Sequence, residues 1–147
     1  MRRKRGFTLV EIMIVVAIIA LLAAIAIPNL LRARLNANES AAASQLKTIT
    51  AASISFRSVN AVYPADLNTL GTATPAYIDT VLGCATQPCG KQGYSFALTG
   101  STNTFTATAR PQIYQTTGVR SFFVDDSGVI RWTDVNAAAG STDSPLD

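Results

Sequence analysis

Apolar residues form one nearly unbroken segment near the start of the chain. Residues 7–27 contain a single charged side chain, Glu11, and a single hydroxyl, Thr8. As a helix they would rise roughly 31 Å, about the thickness of the hydrocarbon core of a bilayer. The pattern therefore predicts a helix that can cross a membrane. Glu11 is the exception to it, because a carboxylate is unfavourable in lipid and marks a functional site.

A second, amphipathic pattern follows. Pro28 should kink or locally melt the helix, because it removes a backbone donor and clashes one turn back. Beyond it, apolar residues recur at steps of three, four and seven, which predicts that the helix continues to about Asn60 with one covered face. Asn36, Asn38 and Glu39 give it a polar middle suited to close helix packing. The predicted covered stripe consists of Leu35, Ala42, Leu46, Ile49, Phe56 and Val59.

After Asn60 the pattern changes to a loop region and then to strands. The Tyr63-Pro64 pair ends the helix, and short helical turns follow in which six residues are expected to pack rather than to bind a ligand. These six are Tyr63, Leu67, Leu70, Tyr77, Ile78 and Leu82.

Residues 94–98 and 104–109 alternate in polarity around the turn at 100–103, and Arg110-Pro111 blocks the second strand. Residues 120–125 and 129–132 form a second predicted hairpin, and the tail after it is expected to be loose at its end. The side chains expected to cover the helix are Tyr94, Phe96, Leu98, Phe105, Phe122, Val124, Ile130 and Trp132. The predicted class is α+β, a long helix on a small antiparallel sheet.

Composition excludes several kinds of chemistry. The chain has no His and two Cys, so histidine acid–base catalysis and His-ligated metal sites are ruled out. Of the twelve cations, four lie at positions 2–5, and without them eight cations face nine acids, a net charge of −1. The remaining cations are scattered, so no specific nucleic-acid surface is expected.

The first residues carry a recognisable motif. The segment K-R-G-F-T-L-V-E, followed by the long apolar run and Pro28, resembles the cleavage signal of type IV pilins and type II secretion pseudopilins over roughly the first 60 residues. An ordinary signal peptide has a shorter apolar core and a cleavage site behind it, and a simple membrane anchor would not explain Glu11.

The resemblance implies a function. A prepilin peptidase would cut between Gly6 and Phe7 and methylate the new N-terminus at Phe7, and an inner-membrane assembly platform would add the subunit to a helical filament of identical or homologous pilins. The implied fold is the pilin fold, with a leader at 1–6, a membrane and filament-core helix at 7–28, an amphipathic helix at 29–60 and a globular head at 61–147. The precursor would lie in the bacterial inner membrane with its leader inside. The mature subunit would lie in a surface pilus or a periplasmic pseudopilus.

Glu11 has a physical role in this scheme. The family precedent is that this carboxylate pairs with the N-terminus of a neighbouring subunit, here the amine of Phe7. Opposite charges about 4 Å apart attract by about 4 kcal/mol at an effective dielectric near 20, which offsets much of the burial penalty. Glu11 would then set the register of assembly. The alternative is an interfacial carboxylate with no partner.

For two further sets of residues, the sequence leaves alternative roles open. If the head lies outside the cytoplasm, Cys84 and Cys89 are expected to form a local disulfide, the alternative being two free thiols. Asp125, Asp126 and Asp134 could bind calcium, as major pseudopilins do in this region, but D-D-S-G between strands is also a tight turn, which is the preferred reading. No other cofactor is expected.

Other functions compete with that of a pilus subunit. A pseudopilin that forms a short periplasmic piston shares every N-terminal feature, and Y-P-x-x-L after the helix weakly favours it. An anchored enzyme is disfavoured, since the chain has no nucleophile elbow, phosphate-binding Gly loop or paired acids at telling spacing. A DNA-uptake pilin fits the fold, but the cation count gives it no particular support.

Overall fold

The computed structural model describes residues 6–146. It contains two helices and six strands. The helices are α1 (Leu9–Asn60) and α2 (Leu67–Thr72). The strands are β1 (Cys89–Lys91), β2 (Tyr94–Gly100), β3 (Phe105–Pro111), β4 (Ser121–Asp125), β5 (Arg131–Thr133) and β6 (Ser144–Pro145). The predicted α+β class, one long helix followed by an antiparallel sheet, is confirmed.

The long helix α1 is continuous through Pro28. The predicted local melting at this residue is therefore not seen in the single chain, and a kink there stays a prediction. A proline inside a helix removes one hydrogen bond, and the helical bonds on either side of it suffice to keep this segment helical. Glu11 lies in the first turn of α1 and Arg57 in its last turn, where their charges complement the helix dipole.

The strands follow one another in chain order as a six-stranded antiparallel meander. Both predicted hairpins are present, as β2 with β3 and β4 with β5. The strand β3 ends at Pro111, as the expected block at Arg110-Pro111 implied, although both residues still belong to the strand and Pro111 pairs with Tyr94 at its end. The short edge strands β1 and β6 were not expected, and β6 pairs part of the tail with β5.

The core lies between the second half of α1 and one face of the sheet. Leu46 and Ile49 of α1 are fully buried, and they pack with the alternate residues of β2, β3 and β4. The buried apolar residues of these three strands are Tyr94, Phe96, Leu98, Phe105, Ala107, Ala109, Phe122 and Val124. Seven of the eight side chains expected to cover the helix are therefore buried, Ile130 among them, while Trp132 is partly buried against the same cluster.

One member of the predicted helix stripe is misplaced. Val59 is 74% exposed, whereas Phe56 still packs against the core. Val59 lies one residue before the end of α1 at Asn60, beyond the part of the helix that the sheet covers.

The loop region between α1 and the sheet is compact. Asp66 caps α2 by accepting a 2.7 Å hydrogen bond from the Thr69 amide. Gln87 joins the region to β2, since its side chain donates to the Leu98 carbonyl at 2.9 Å and accepts from the Leu98 amide at 2.7 Å. Of the six side chains expected to pack here, five are buried and Tyr77 is partly buried.

Candidate functional site

The first turn of α1 is organised by Thr8 and Glu11. The Glu11 carboxylate accepts hydrogen bonds from the Thr8 amide at 2.9 Å and from the Thr8 hydroxyl at 2.8 Å. The Thr8 hydroxyl in turn accepts from the Glu11 amide at 3.2 Å. This reciprocal arrangement is a capping box, in which two amides that begin the helix find partners.

The capping box gives Glu11 a partner within its own chain. Sequence reasoning expected an amine to satisfy this carboxylate and missed the role of Thr8. The signal was nevertheless present, since T-x-x-E before an apolar run is the sequence signature of a capping box. In the single chain the carboxylate remains exposed, so its second oxygen is open to a further donor.

The residues around this turn form an uncovered apolar surface. From Leu9 to Leu31 the large apolar side chains of α1 are at least half exposed, and Phe7 before the helix is 85% exposed. By length and composition α1 could cross a membrane. A surface of this size on every side of a helix requires lipid or other protein to cover it.

Gly6 and Phe7 precede the helix and are exposed. A peptide bond in an exposed segment outside regular secondary structure is accessible to a peptidase. The basic residues at 2–5, expected to form the cleaved leader, lie outside the described residues. Cleavage and methylation at this bond remain predictions.

Comparison with known proteins agrees with this N-terminal geometry. Residues 1–27 match the family described as the prokaryotic N-terminal methylation motif. The type IV wide pilus major component PilA4 of Thermus thermophilus is 38% identical over 122 residues, which cover 79% of this chain and 90% of that protein. This chain belongs to the type IV pilin and pseudopilin family.

Relatives of this chain come from both branches of the family. The type IV major pilin protein PilA of Myxococcus xanthus is 48% identical over 71 residues, 48% of this chain and 32% of that protein. The type II secretion system core protein G of Vibrio cholerae is 38% identical over 64 residues, 44% of each chain. The match thus spans about a third of the length of the first relative and less than half of the length of the second.

A second polar cluster lies in the globular part of the chain, where Glu39 of α1 meets the segment before β4. Glu39 is only 5% exposed. Its carboxylate accepts hydrogen bonds from the Val119 amide at 2.9 Å, from the Arg120 amide at 3.2 Å and from Arg120 Nε at 2.7 Å. The neighbouring Asn38 side chain donates to the Thr117 carbonyl at 2.9 Å. The helix and this segment are therefore joined by side chains, and Glu39 does not serve the helix-packing surface expected of it.

The environment of Glu39 shifts two pKa values. Burial alone would raise the pKa of the Glu39 carboxyl, but the hydrogen bonds from Val119 and Arg120 and the Arg120 charge lower it more, so the pKa lies below that of an ordinary glutamate. Burial, together with the negative charge of Glu39, raises the pKa of Tyr94. The Tyr94 hydroxyl donates to the Arg120 carbonyl at 2.8 Å, and the Arg120 guanidinium lies 5.3 Å from the centre of the Trp132 ring.

The two cysteines of the chain form a disulfide bond between Cys84 and Cys89, as expected. The bond closes the short loop that enters β1, and Cys89 is buried in the core cluster. Gln87 and Pro88 inside this loop are therefore held at the edge of the sheet.

The acidic residues near β4 serve a turn. Asp125 accepts a hydrogen bond from the Ser127 amide at 3.0 Å and also contacts the Ser127 hydroxyl. Gly128 follows with a φ of 74°, the left-handed conformation that glycine adopts readily. Within residues 6–146 no three acidic, His or Cys side chains form a group that could hold a metal ion. Asp125, Asp126 and Asp134 are not brought together as calcium ligands, and calcium binding stays a prediction.

Proposed function

We propose that this chain is a structural subunit of an extracytoplasmic type IV pilus-like filament and carries no catalytic activity. The observation that carries the proposal is the exposed apolar half of α1, which begins with a single carboxylate at Glu11. Its relatives are named as pilus components and as a secretion-system core protein. Helices of this kind can cover one another when many copies pack side by side.

Maturation would begin at the bond between Gly6 and Phe7. A prepilin peptidase would remove residues 1–6 and methylate the amine of Phe7. This cut takes away four of the chain's twelve cations, all at positions 2–5, which would otherwise hold the leader on the cytoplasmic side of the inner membrane. The cut also creates the positive charge that assembly would use.

Assembly would pair Glu11 of one subunit with the Phe7 amine of its neighbour. At about 4 Å such a pair is favourable by about 4 kcal/mol at an effective dielectric near 20. Thr8 occupies one oxygen of the Glu11 carboxylate within the same chain. The other oxygen would accept the neighbour's amine, so Glu11 could keep its cap while it docks. A subunit in the wrong register would leave the amine without this partner.

Extraction from the membrane needs an external source of energy. Apolar side chains that move from lipid into a protein bundle gain little hydrophobic free energy, since both environments are apolar. An inner-membrane assembly platform would supply the work. Packing and the charge pair would then hold the subunit in the filament. In the case of a pilus, this filament would lie on the cell surface.

A second candidate function is a pseudopilin of a type II secretion system, which would form a short periplasmic filament. The observation in its favour is the similarity to core protein G of Vibrio cholerae over 64 residues. Deleting the gene, examining the cells by electron microscopy and assaying their protein secretion separates the two. Loss of long surface fibres supports the pilus, whereas intact fibres with failed protein secretion support the pseudopilus.

Substitution of Glu11 tests the assembly mechanism. Glu11→Gln keeps a side chain that can cap the helix but carries no charge, whereas Glu11→Ala loses both. If the charge pair drives docking, both variants should accumulate in the membrane and fail to enter filaments. Asp126→Asn, the same change at an exposed acid, is the control and should assemble normally. Normal filaments from Glu11→Gln would overturn the charge pair and leave only the capping role.

Mass spectrometry tests maturation directly. Filament subunits should begin at Phe7 and carry one methyl group on the amine. Subunits that retain residues 1–6 in the filament would contradict the proposed processing, whatever the Glu11 variants do.

A further inference from the structure

We propose that the outer face of the sheet carries a binding cleft for an acidic saccharide, a role separate from the filament assembly proposed above. The cleft has a volume of about 570 Å³. Binding pockets for small ligands range from about 300 to 1,000 Å³, so a saccharide of one or two rings is an appropriate occupant.

The floor of the cleft consists of small side chains on β2 and β3. Ser95 and Ala97 of β2 lie opposite Arg110 and Thr108 of β3 in the antiparallel register. Since alternate residues of a strand point to opposite faces, and Tyr94, Phe96 and Leu98 fill the core, these four side chains belong to the outer face. Ser, Ala and Thr leave the floor low, and this makes the surface concave.

Two loops form the walls. Gln112 and Tyr114 follow β3, and Asn136 follows β5. The Tyr114 hydroxyl donates to the Asp134 carbonyl at 2.7 Å, which joins the two loops. The side-chain amide of Gln112 lies against the backbone of Gly90. A Cβ added to Gly90 would come within 2.6 Å of Gln112 Nε2.

The wall that carries Tyr114 is fixed from the other side by α1. Asn38 holds the Thr117 carbonyl and Glu39 holds the Val119 amide, each at 2.9 Å. Within the loop, the Thr117 hydroxyl accepts from the Ile113 amide at 3.1 Å. A cleft whose walls are already ordered loses little conformational entropy when a ligand binds.

The chemistry of the lining favours an acidic sugar. Ser95 and Thr108 present hydroxyls, and Gln112 and Asn136 present amides, all of which can pair with sugar hydroxyls. The Tyr114 ring offers an apolar surface for the face of a pyranose.

The positive charge of Arg110 indicates that the ligand is negatively charged. It is exposed, it forms no ion pair among residues 6–146, and no carboxylate lines the cleft. A guanidinium pairs with a carboxylate through two parallel hydrogen bonds. The cleft therefore selects against cations and offers a position for the carboxylate of a uronic acid.

Calorimetry with a defined probe tests the proposal. The full chain in detergent micelles is titrated with a disaccharide of glucuronate and N-acetylglucosamine, and with the same sugar after reduction of its carboxyl group. The acidic form should bind, and the reduced form should bind at least about tenfold more weakly, as expected for loss of one charge-assisted pair.

Variants locate the site. Arg110→Gln should weaken binding of the acidic probe by about tenfold or more, and Tyr114→Ala should abolish it. Arg34→Gln, the same change at an exposed arginine outside the cleft, should leave binding unchanged. Unaltered thermal unfolding shows that each variant is folded, and amide NMR shifts of the wild-type chain should move at Thr108 and Tyr114 but not at Lys47.

Three results would overturn the proposal. These are no binding by the wild-type chain, equal binding of the acidic and reduced probes, and NMR shifts confined to residues outside the cleft. None of them bears on the Glu11 experiments, so the cleft can fail while the assembly mechanism stands.

Discussion

The Glu39 carboxylate and the Arg120 side chain meet at 2.7 Å although 81 residues separate them in the chain. One partner lies on α1 and the other immediately before β4. The same carboxylate also accepts the amides of Val119 and Arg120, so it satisfies three donors. This contact fixes the segment between β3 and β4 to the helix.

Removal of the Glu39 side chain should destabilise the globular part. Glu39→Ala leaves the Val119 and Arg120 amides without their partner, and we expect the free energy of unfolding to fall by about 3 kcal/mol. Glu39→Gln keeps an acceptor and should lower it by about 1–2 kcal/mol. Urea unfolding of the full chain in detergent measures both, with Ser40→Ala, an exposed neighbour, as the control. Equal stability of Glu39→Ala and wild type would contradict this role.

The same contact should make stability depend on pH in the acid range. The pKa of Glu39 is lower in the folded chain than in the unfolded chain. Its stabilising contribution is therefore fully present above the unfolded value of about 4.3 and is lost as pH falls through the folded value. The raised pKa of Tyr94 keeps its hydroxyl neutral over this range. Between pH 3 and 7, the melting temperature of Glu39→Gln should fall less with decreasing pH than that of wild type. Identical pH profiles of the two proteins would refute the assignment of this pH dependence to Glu39.

The disulfide bond should contribute modestly to the free energy of unfolding, because Cys84 and Cys89 close a loop with a sequence separation of only 5. For so short a loop the entropy model gives about 2 kcal/mol. The double variant with serine at both positions should unfold at lower urea concentration, and reduced wild type should match it. Thr86→Ala, inside the same loop, serves as the control. A double variant as stable as oxidised wild type would show that the bond does not support the native fold.

Two glycines at the loop region should be intolerant of alanine. A Cβ on Gly83 would lie 2.6 Å from Gly71 Cα, and one on Gly71 would lie 2.7 Å from Gly83 Cα. Overpacking of this kind lowers stability by about 1–3 kcal/mol, because backbone must move. A Cβ on Gly140 meets nothing within 4 Å, so Gly140→Ala is the matched control. Thermal unfolding compares them, and an unaffected Gly83→Ala would mean that the two segments separate easily.

Local patterns were sufficient to predict much of the fold. The extent of α1, both central hairpins and the buried aromatic residues follow from apolar periodicity, which burial enforces directly. The strands β1 and β6 were missed because their short sequences, C-G-K and S-P, show no alternation of bulky apolar residues. Val59 was misplaced because the sequence does not show where the sheet stops covering the helix.

The polar contacts also differ in whether the local sequence could predict them. Thr8 and Glu11 are three residues apart, and the capping signature T-x-x-E is by itself sufficient to indicate that they are in contact. The pairing of Glu39 with Arg120 depends on where two distant elements dock, and no local pattern contains that information. The outer cleft depends in the same way on the cross-strand register and on two loops that meet only in three dimensions.

Pro28 lies inside α1 without breaking it, yet it has no amide hydrogen to donate. The carbonyl of Ala24, one turn earlier, therefore lacks its usual helical partner. That turn is held by fewer bonds than the turns of the same length on either side of it. Under mechanical load along the helix axis, we expect extension to start at Ala24 and Pro28, so that a fibre of such chains could lengthen while its sheets stay folded.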